Sequence, residues 1–139
     1  MSESEIDDAR VSAAPPGEIE ARVRAIYSRF DLGNYHPECE WHTRSDLPDS
    51  GTYRGHEAIA RLVAEWQGAF DDLVLEPVEI REIAGKVLVL VHTTARIKGT
   101  GEVVEMDEVH VGTMSDGKLI EIREYLTKEE AIRSLGGAV

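Results

Sequence analysis

From Leu73 onward the spacing of apolar residues changes from helical to strand-like, and it stays so almost to the end of the chain. Four β-rich runs follow, Leu73–Ile83, Val87–Ile97, Glu102–Met114 and Leu119–Leu126, separated by Ala84-Gly85, Gly99-Thr100 and Asp116-Gly117. Links this short cannot carry a crossover, so consecutive strands must fold back on one another as an antiparallel meander. Asp116-Gly117 is the strongest of the three signals, because it favours the type I′ turn whose twist matches the flanking strands. Val87 to Val91 is continuously apolar, which places its strand centrally with both faces covered.

The residues before the meander read as helices. Ile19, Val23, Ile26, Tyr27 and Phe30 form one apolar stripe, predicting a helix over Glu18 to Asp31 that Gly33-Asn34 stops. Gly55-His56-Glu57 opens a second amphipathic helix lasting to about Phe70, with Ile59, Leu62, Val63 and Trp66 on one face and Asp71-Asp72 at its end. Between them, Tyr35 to Tyr53 is interrupted by Pro37, Pro48 and Gly51, so mostly irregular chain is expected, with a short strand around Cys39–Thr43. Such a segment usually covers something, such as the mouth of a pocket. Thr127-Lys128-Glu129-Glu130 is a capping box for a short last helix carrying Ala131, Ile132 and Leu135 and stopping at Gly136-Gly137. Residues 1–17 read as a flexible acidic leader closing with Pro15-Pro16-Gly17, and residues 18–139 as one domain of α+β type.

A chain of 139 residues with 42% hydrophobic content can build one core, so any pocket must be carved out of it. Acidic residues number 27 against 15 basic ones, for a formal charge of -12, which makes nucleic acid and anionic membrane poor partners. Cys39 is the single cysteine, which excludes an internal disulfide and cysteine-based metal motifs. The N-terminal residues do not read as a signal peptide and no window reaches the length of a membrane span, so cytoplasm is the expected compartment. The second face of the sheet needs cover, and a homodimer through the sheet is the economical way to supply it.

No phosphate loop, zinc-hydrolase helix, nucleophile elbow or calcium loop is present in the sequence. If Asp116-Gly117 is the whole loop, Ser115 faces Lys118, His110 faces Arg123, and Glu108 faces Tyr125. Glu108, His110, Arg123 and Tyr125 then share one side of the sheet, with Val109, Val111, Ile120 and Ile122 on the other. That side would hold a base, an anion clamp and a hydrogen-bond donor; the plainer reading is a salt-bridged outer face. A two-residue turn at Gly99-Thr100 pairs His92 with Asp107 on the opposite side, and one added loop residue would reverse the faces. Either pair can therefore face a cavity. Trp41 and His42 precede Arg44 and Asp46 where a pocket mouth would lie. Tyr27 and Trp66 sit on the helix stripes, as core packing or as the inner wall of a cavity, and Tyr53 lies near His56 and Glu57 at a pocket border. The histidines have no local spacing that commits them to one ion, so no metal is expected.

From about Glu18 to Gly136 the chain resembles the SnoaL-like polyketide cyclase branch of the NTF2-like superfamily. The matching runs are Tyr27-Ser28-Arg29-Phe30-Asp31, Cys39-Glu40-Trp41, Gly51-Thr52-Tyr53-Arg54-Gly55-His56-Glu57-Ala58-Ile59, the strand and hairpin from His110 through Asp116-Gly117-Lys118 to Ile120, and Tyr125-Leu126-Thr127-Lys128-Glu129-Glu130-Ala131. The resemblance implies a cone-shaped curved antiparallel sheet wrapped around N-terminal helices, a short C-terminal helix, a hydrophobic pocket and pairing through the sheet. It also implies acid–base chemistry without a cofactor. The spot where isomerase-like members carry a base falls near Thr43, flanked by His42 and Asp46, while Asp107, Glu108 and His110 are the candidates matching cyclase-like members. The expected function is a cofactor-independent lyase or isomerase acting on a small hydrophobic carbonyl compound. In it His110 or His42 is the base, Glu108 or Asp107 orients it, Tyr125 and Arg123 steady enolate charge, and Tyr27, Trp41, Tyr53, Trp66 and His92 line the ligand site. The alternative is a non-catalytic small-molecule-binding or dimeric scaffold protein.

Overall fold

The computed structural model describes residues 17–46 and 50–136. The expected leader, apart from Gly17, and the Gly137 end of the last helix stop lie outside the described residues. In chain order the elements are α1 (Glu18–Ser28), a 3-10 turn (Leu32–Asn34), β1 (Tyr35–His42), β2 (Thr52–Arg54), α2 (Gly55–Ala69), β3 (Phe70–Ile83), β4 (Lys86–Ile97), β5 (Val103–Ser115), β6 (Lys118–Tyr125) and α3 (Lys128–Ser134). Among the described residues no helix is long and apolar enough to cross a membrane.

The sheet has six strands in the order β2-β1-β6-β5-β4-β3. β3 through β6 form the expected antiparallel meander, but β1 runs parallel to β6, so the curved sheet is mixed and not wholly antiparallel. The region read as mostly irregular supplies β1 as an eight-residue strand. Pro37 does not break it, because the β1–β6 register is irregular between Tyr35 and Glu40 and no ladder bond is demanded of its missing N–H.

Asp116 and Gly117 have φ of 53° and 75°, the positive values a type I′ turn requires at both central positions, and Ser115 pairs with Lys118 as expected. The β4–β5 link is longer than the two residues expected. Ile97 N donates to Glu102 O at 2.9 Å and Gly101 N to Ile97 O at 2.8 Å, leaving residues 98–101 as the loop. That loop has the same centre as a Gly99-Thr100 turn, so His92 still pairs with Asp107.

The β5–β6 ladder departs from even counting. Met114 pairs with Leu119, but Thr113 pairs with Glu121, so Ile120 is an extra residue in β6. From there on every partner moves by one: His110 faces Glu124, Val111 faces Arg123 and Val109 faces Tyr125. The physical reason lies in the core. Leu119 and Ile122, three apart in sequence, both bury in the cluster with Ile26, Trp41 and Ile59, and strict alternation would send one of them outward.

The sheet thus has two covered faces. Toward α1 and α2 it presents Val87, Val89 and Val91, packed on Val23, together with Trp41, Leu119 and Ile122. On the outer side Leu88, Val109 and Val111 pack with Ala131 of α3, joined by Tyr125 and Ile132. α3 starts as its sequence predicts: Thr127 Oγ1 accepts from Glu130 N at 3.2 Å, and Glu130 Oε1 reaches back to Leu126 N at 3.2 Å, one residue before the expected Thr127.

Candidate functional site

Between the helices and the inner face of the sheet lies a pocket of about 650 Å³, walled by Tyr27, Phe30, Trp41, Trp66, Phe70 and Leu75 among others. Its aromatic rings brace one another. Trp41 meets Trp66 edge-on with centroids 5.5 Å apart and stacks on Tyr35 at 6.0 Å, and Phe30 packs on Tyr35 at 5.6 Å. A wall of this kind offers flat apolar area at fixed orientation. Beyond Tyr27, a void of about 10 Å³ is bordered by His110, Gly112, Met114, Leu119 and Ile122. A Cβ on Gly112 would stand 2.9 Å from Leu119 Cδ2, so the leucine's terminal methyl would have to shift.

Behind this wall the fold assembles a buried polar chain. α1 turns Tyr27 toward β5, where its hydroxyl lies 2.6 Å from His110 Nδ1. His110 Nε2 is 2.7 Å from Glu108 Oε1, and the imidazole is only 1% exposed. An ionised carboxylate can only accept, so Nε2 carries the hydrogen of that bond. At Nδ1 the direction follows charge: the hydroxyl donates to a neutral ring and accepts from a charged one. Glu108 Oε2 receives Arg44 at 3.4 Å, and Arg44 in turn grips Asp46 through Nε at 3.0 Å and through its second terminal nitrogen at 2.7 Å. The register shift brings Glu124 into the same cluster. Trp41 Nε1 donates to Glu124 Oε2 at 2.7 Å and Arg44 N to Glu124 Oε1 at 3.2 Å.

Burial and neighbours split these groups. Burial pushes the Tyr27 hydroxyl well above the phenol range, reinforced by Tyr35, Glu124 and Glu108. Burial also pushes the Glu108 carboxyl up, but the hydrogen bond and charge of His110, with Arg44, outweigh it and hold Glu108 below the ordinary carboxylate value. For Glu124 burial wins, with help from the Glu108 charge and against His110, Trp41 and Arg44, and its carboxyl is held above the ordinary value. Glu108, His110 and Glu124 bring ligand-type atoms within 4.8 Å of one another. Those atoms already meet the Arg44 guanidinium, the indole N–H and the Tyr27 hydroxyl, so the cluster satisfies itself by hydrogen bonding.

The structure brings together Glu108 and His110, as expected, and sets Tyr27, Trp41 and Trp66 on the pocket wall. It separates the rest. Arg123 is not beside His110: it pairs with Val111 on the outer face and reaches Glu121 at 3.1 Å. Tyr125 packs in the outer cluster with Val109 and Val111. The Ile120 bulge causes both corrections, and it puts Ile122 on His110's side. His42 faces away from Trp41, toward Glu40 at 3.2 Å and Thr52 at 3.0 Å, because neighbours in a strand alternate. His92 and Asp107 do pair, at 2.6 Å, but on the outer face, where Asp107 is 83% exposed. The Asp107 bond, followed by its charge and Glu105, raises the His92 pKa above the ordinary imidazole value. Tyr53 pairs with Trp41 across β1 and β2 and packs on the core without bordering the pocket. Glu124 escaped the sequence reading, and Arg44, placed only near a pocket mouth, was given no role there. The signal for Glu124 was the odd spacing of Leu119 and Ile122, which no regular strand satisfies.

The model of the SnoaL-like domain family matches residues 11–122. An NTF2-like protein from Burkholderia xenovorans LB400 is 30% identical, with 75% of this chain and 79% of that chain covered and a TM-score of 0.57. A candidate SnoaL-like polyketide cyclase from Jannaschia sp. CCS1 is 19% identical, with 91% and 98% covered and a TM-score of 0.64. TerC, solved with polyporic acid, is 24% identical, with 85% and 97% covered and a TM-score of 0.64. No curated protein matches the chain.

Proposed function

The chain belongs to the SnoaL-like domain family, and on that premise we propose that it is a cofactor-independent lyase or isomerase doing acid–base chemistry on a flat, hydrophobic carbonyl compound. One observation carries this reading. The hydrogen-bonded run Glu108–His110–Tyr27 leads from the buried interior to a side chain on the wall of an aromatic pocket. With the imidazole neutral, the Tyr27 hydroxyl donates to Nδ1. As the carbon next to a ligand carbonyl gives its proton to the Tyr27 oxygen, the hydroxyl hydrogen passes to His110 Nδ1, leaving an enolate in the pocket and an imidazolium braced by the Glu108 carboxylate. Return of a proton to the same or another carbon, or loss of a β-leaving group, completes an isomerisation or an elimination. The raised Tyr27 pKa suits a donor that stays protonated. A relative of the same fold was solved with polyporic acid, and a flat conjugated carbonyl compound suits the tryptophan wall here.

The test is deuterium uptake at the carbon next to the carbonyl, followed by NMR over a panel of aryl ketones and hydroxyquinones. Tyr27→Phe and His110→Ala are each expected to slow enzyme-dependent exchange by roughly 10²–10⁴-fold. Equal rates in the parent and both variants would remove the relay from the mechanism.

A non-catalytic binding or scaffold role draws on a separate observation: His110 does not border the large pocket. Native mass spectrometry of protein from its own host, retaining a compound that never exchanges, would favour it. Pairing as a homodimer through the sheet is part of the proposal. Val74 and Val103, more than half exposed, pair with Thr94 and Arg96 on the same face as Leu88, beyond the cover of α3. Sedimentation of Val103→Glu against the parent tests it: a monomer in both sinks it. A cytoplasmic setting, suggested by the acidic charge and the lone buried thiol, belongs to the same proposal.

A further inference from the structure

We propose that Arg44 is the positioning residue that makes the two buried glutamates unequal, holding Glu108 as the carboxylate under His110 and leaving Glu124 as a carboxylic acid against Trp41. For its use this deepens the acid–base reading above and rests on it, although the inequality itself can be measured without any turnover.

Glu108 and Glu124 are 7% and 8% exposed, on neighbouring strands, and their oxygens and His110 lie within 4.8 Å of one another. Two carboxylates this close and this dry repel strongly, so one of them tends to keep its proton. His110 bonds Glu108 at 2.7 Å, and the fixed cation sits on the same side. Arg44 presents its guanidinium to Glu108 Oε2 at 3.4 Å, but offers Glu124 only its backbone N–H, at 3.2 Å. The fork is not free to swing between them, because Asp46 holds its other two nitrogens at 3.0 and 2.7 Å. Glu124 is left with neutral donors: the Trp41 indole at 2.7 Å and that backbone N–H.

The remaining surroundings do not reverse the balance. Glu108 faces His110 of its own strand, through which it is joined to Tyr27 of α1, and also Arg44 and Glu124. Glu124 faces Trp41 of β1, Arg44, and Glu108 and His110 of β5, with Glu130 of α3, His42, Asp46 and its strand neighbours Arg123 and Tyr125 around a cleft on its other side. Arg123 turns to Glu121 and so offers Glu124 no cation, and Glu130, itself an acid, accepts from the Leu126 N–H. The directions of the two carboxyl shifts, Glu108 down and Glu124 up, agree with this geometry.

Carbon-13 NMR of protein labelled at the glutamate carboxyls tests it, with the two resonances assigned by Glu108→Gln and Glu124→Gln. In the parent, Glu124 is expected to titrate at higher pH than Glu108. In Arg44→Met the Glu108 midpoint rises and the separation narrows, with the His110 bond to Glu108 keeping the remainder, while Arg44→Lys keeps the order with a smaller loss. The parent titration decides even if Arg44→Met fails to fold: Glu108 titrating at or above Glu124 overturns the proposal. So does an unchanged separation in a folded Arg44→Met. A second readout is stability at neutral pH, where Glu108→Gln, which removes a paired carboxylate, is expected to lower the Tm more than Glu124→Gln, whose amide oxygen still accepts one of the two N–H bonds. The reverse ranking also overturns it. Absence of carbonyl exchange in the parent would instead count against the proposed reaction and leave the titration order standing.

Discussion

The hydroxyl of Tyr27 meets Nδ1 of His110 at 2.6 Å, joining two residues 83 positions apart in the chain. The bond links α1 to the middle of the sheet. It also connects the pocket wall to a group that no ligand in the pocket touches directly. A substitution at either end therefore tests packing and chemistry together, and the two must be separated by what is measured.

Tyr27→Phe keeps the ring and removes only the hydroxyl, leaving Nδ1 of His110 buried without its partner. Urea unfolding should show a loss of about 1–3 kcal/mol, the cost of an unsatisfied buried polar atom. Ligand affinity, which depends on the ring, should change far less than the exchange rate. Equal losses in both would mean that the residue only shapes the pocket.

The stability of the protein should respond to pH through two carboxyls of opposite sign. Glu108, with its folded pKa depressed, contributes stability that is present above the ordinary glutamate value and lost as pH falls through its folded value. Glu124, with its folded pKa raised, contributes stability that is present below the ordinary value and lost as pH rises through its folded value. Glu108→Gln should therefore weaken the acid-side fall in unfolding free energy, and Glu124→Gln the decline on the way up. Parallel profiles for parent and both variants would contradict this.

Gly112→Ala places a methyl group 2.9 Å from Leu119 Cδ2, beside the small void near His110. The Leu119 methyl must give way inside a packed cluster, so a destabilisation of about 1–3 kcal/mol is expected from overpacking. A Tm equal to the parent's would show that Leu119 moves aside freely.

Leu88 is fully buried between β4 and α3, and Leu88→Ala should cost about 2–5 kcal/mol in chemical denaturation. Thr127→Ala, which removes the cap of α3, should cost about 0.5–2 kcal/mol. If α3 covers the outer face as described, both variants should expose that face, read as increased binding of a hydrophobic dye near the midpoint of unfolding.

Local chemistry made much of the architecture legible. The periodicities of Ile19–Phe30 and Ile59–Phe70, the Asp116-Gly117 turn and the Thr127 cap each act over a few residues, so the helices, the meander and its first strand pair follow from neighbours alone. The same local counting paired His92 with Asp107 correctly, because a loop of even length preserves the centre of a hairpin. It also put Glu108 and His110 on one face, since residues two apart in a strand always share one.

What the chain could not disclose locally was decided by packing. Burying Leu119 and Ile122 in the same core requires the Ile120 bulge, and that single extra residue turns Arg123 and Tyr125 outward and Glu124 inward. β1 lies parallel to β6 with no turn to announce it, and only that docking delivers Trp41 and Arg44 to Glu124. A strand's alternation is a property of its own backbone, whereas the point at which it slips is set by what the opposite side of the core has room to hold.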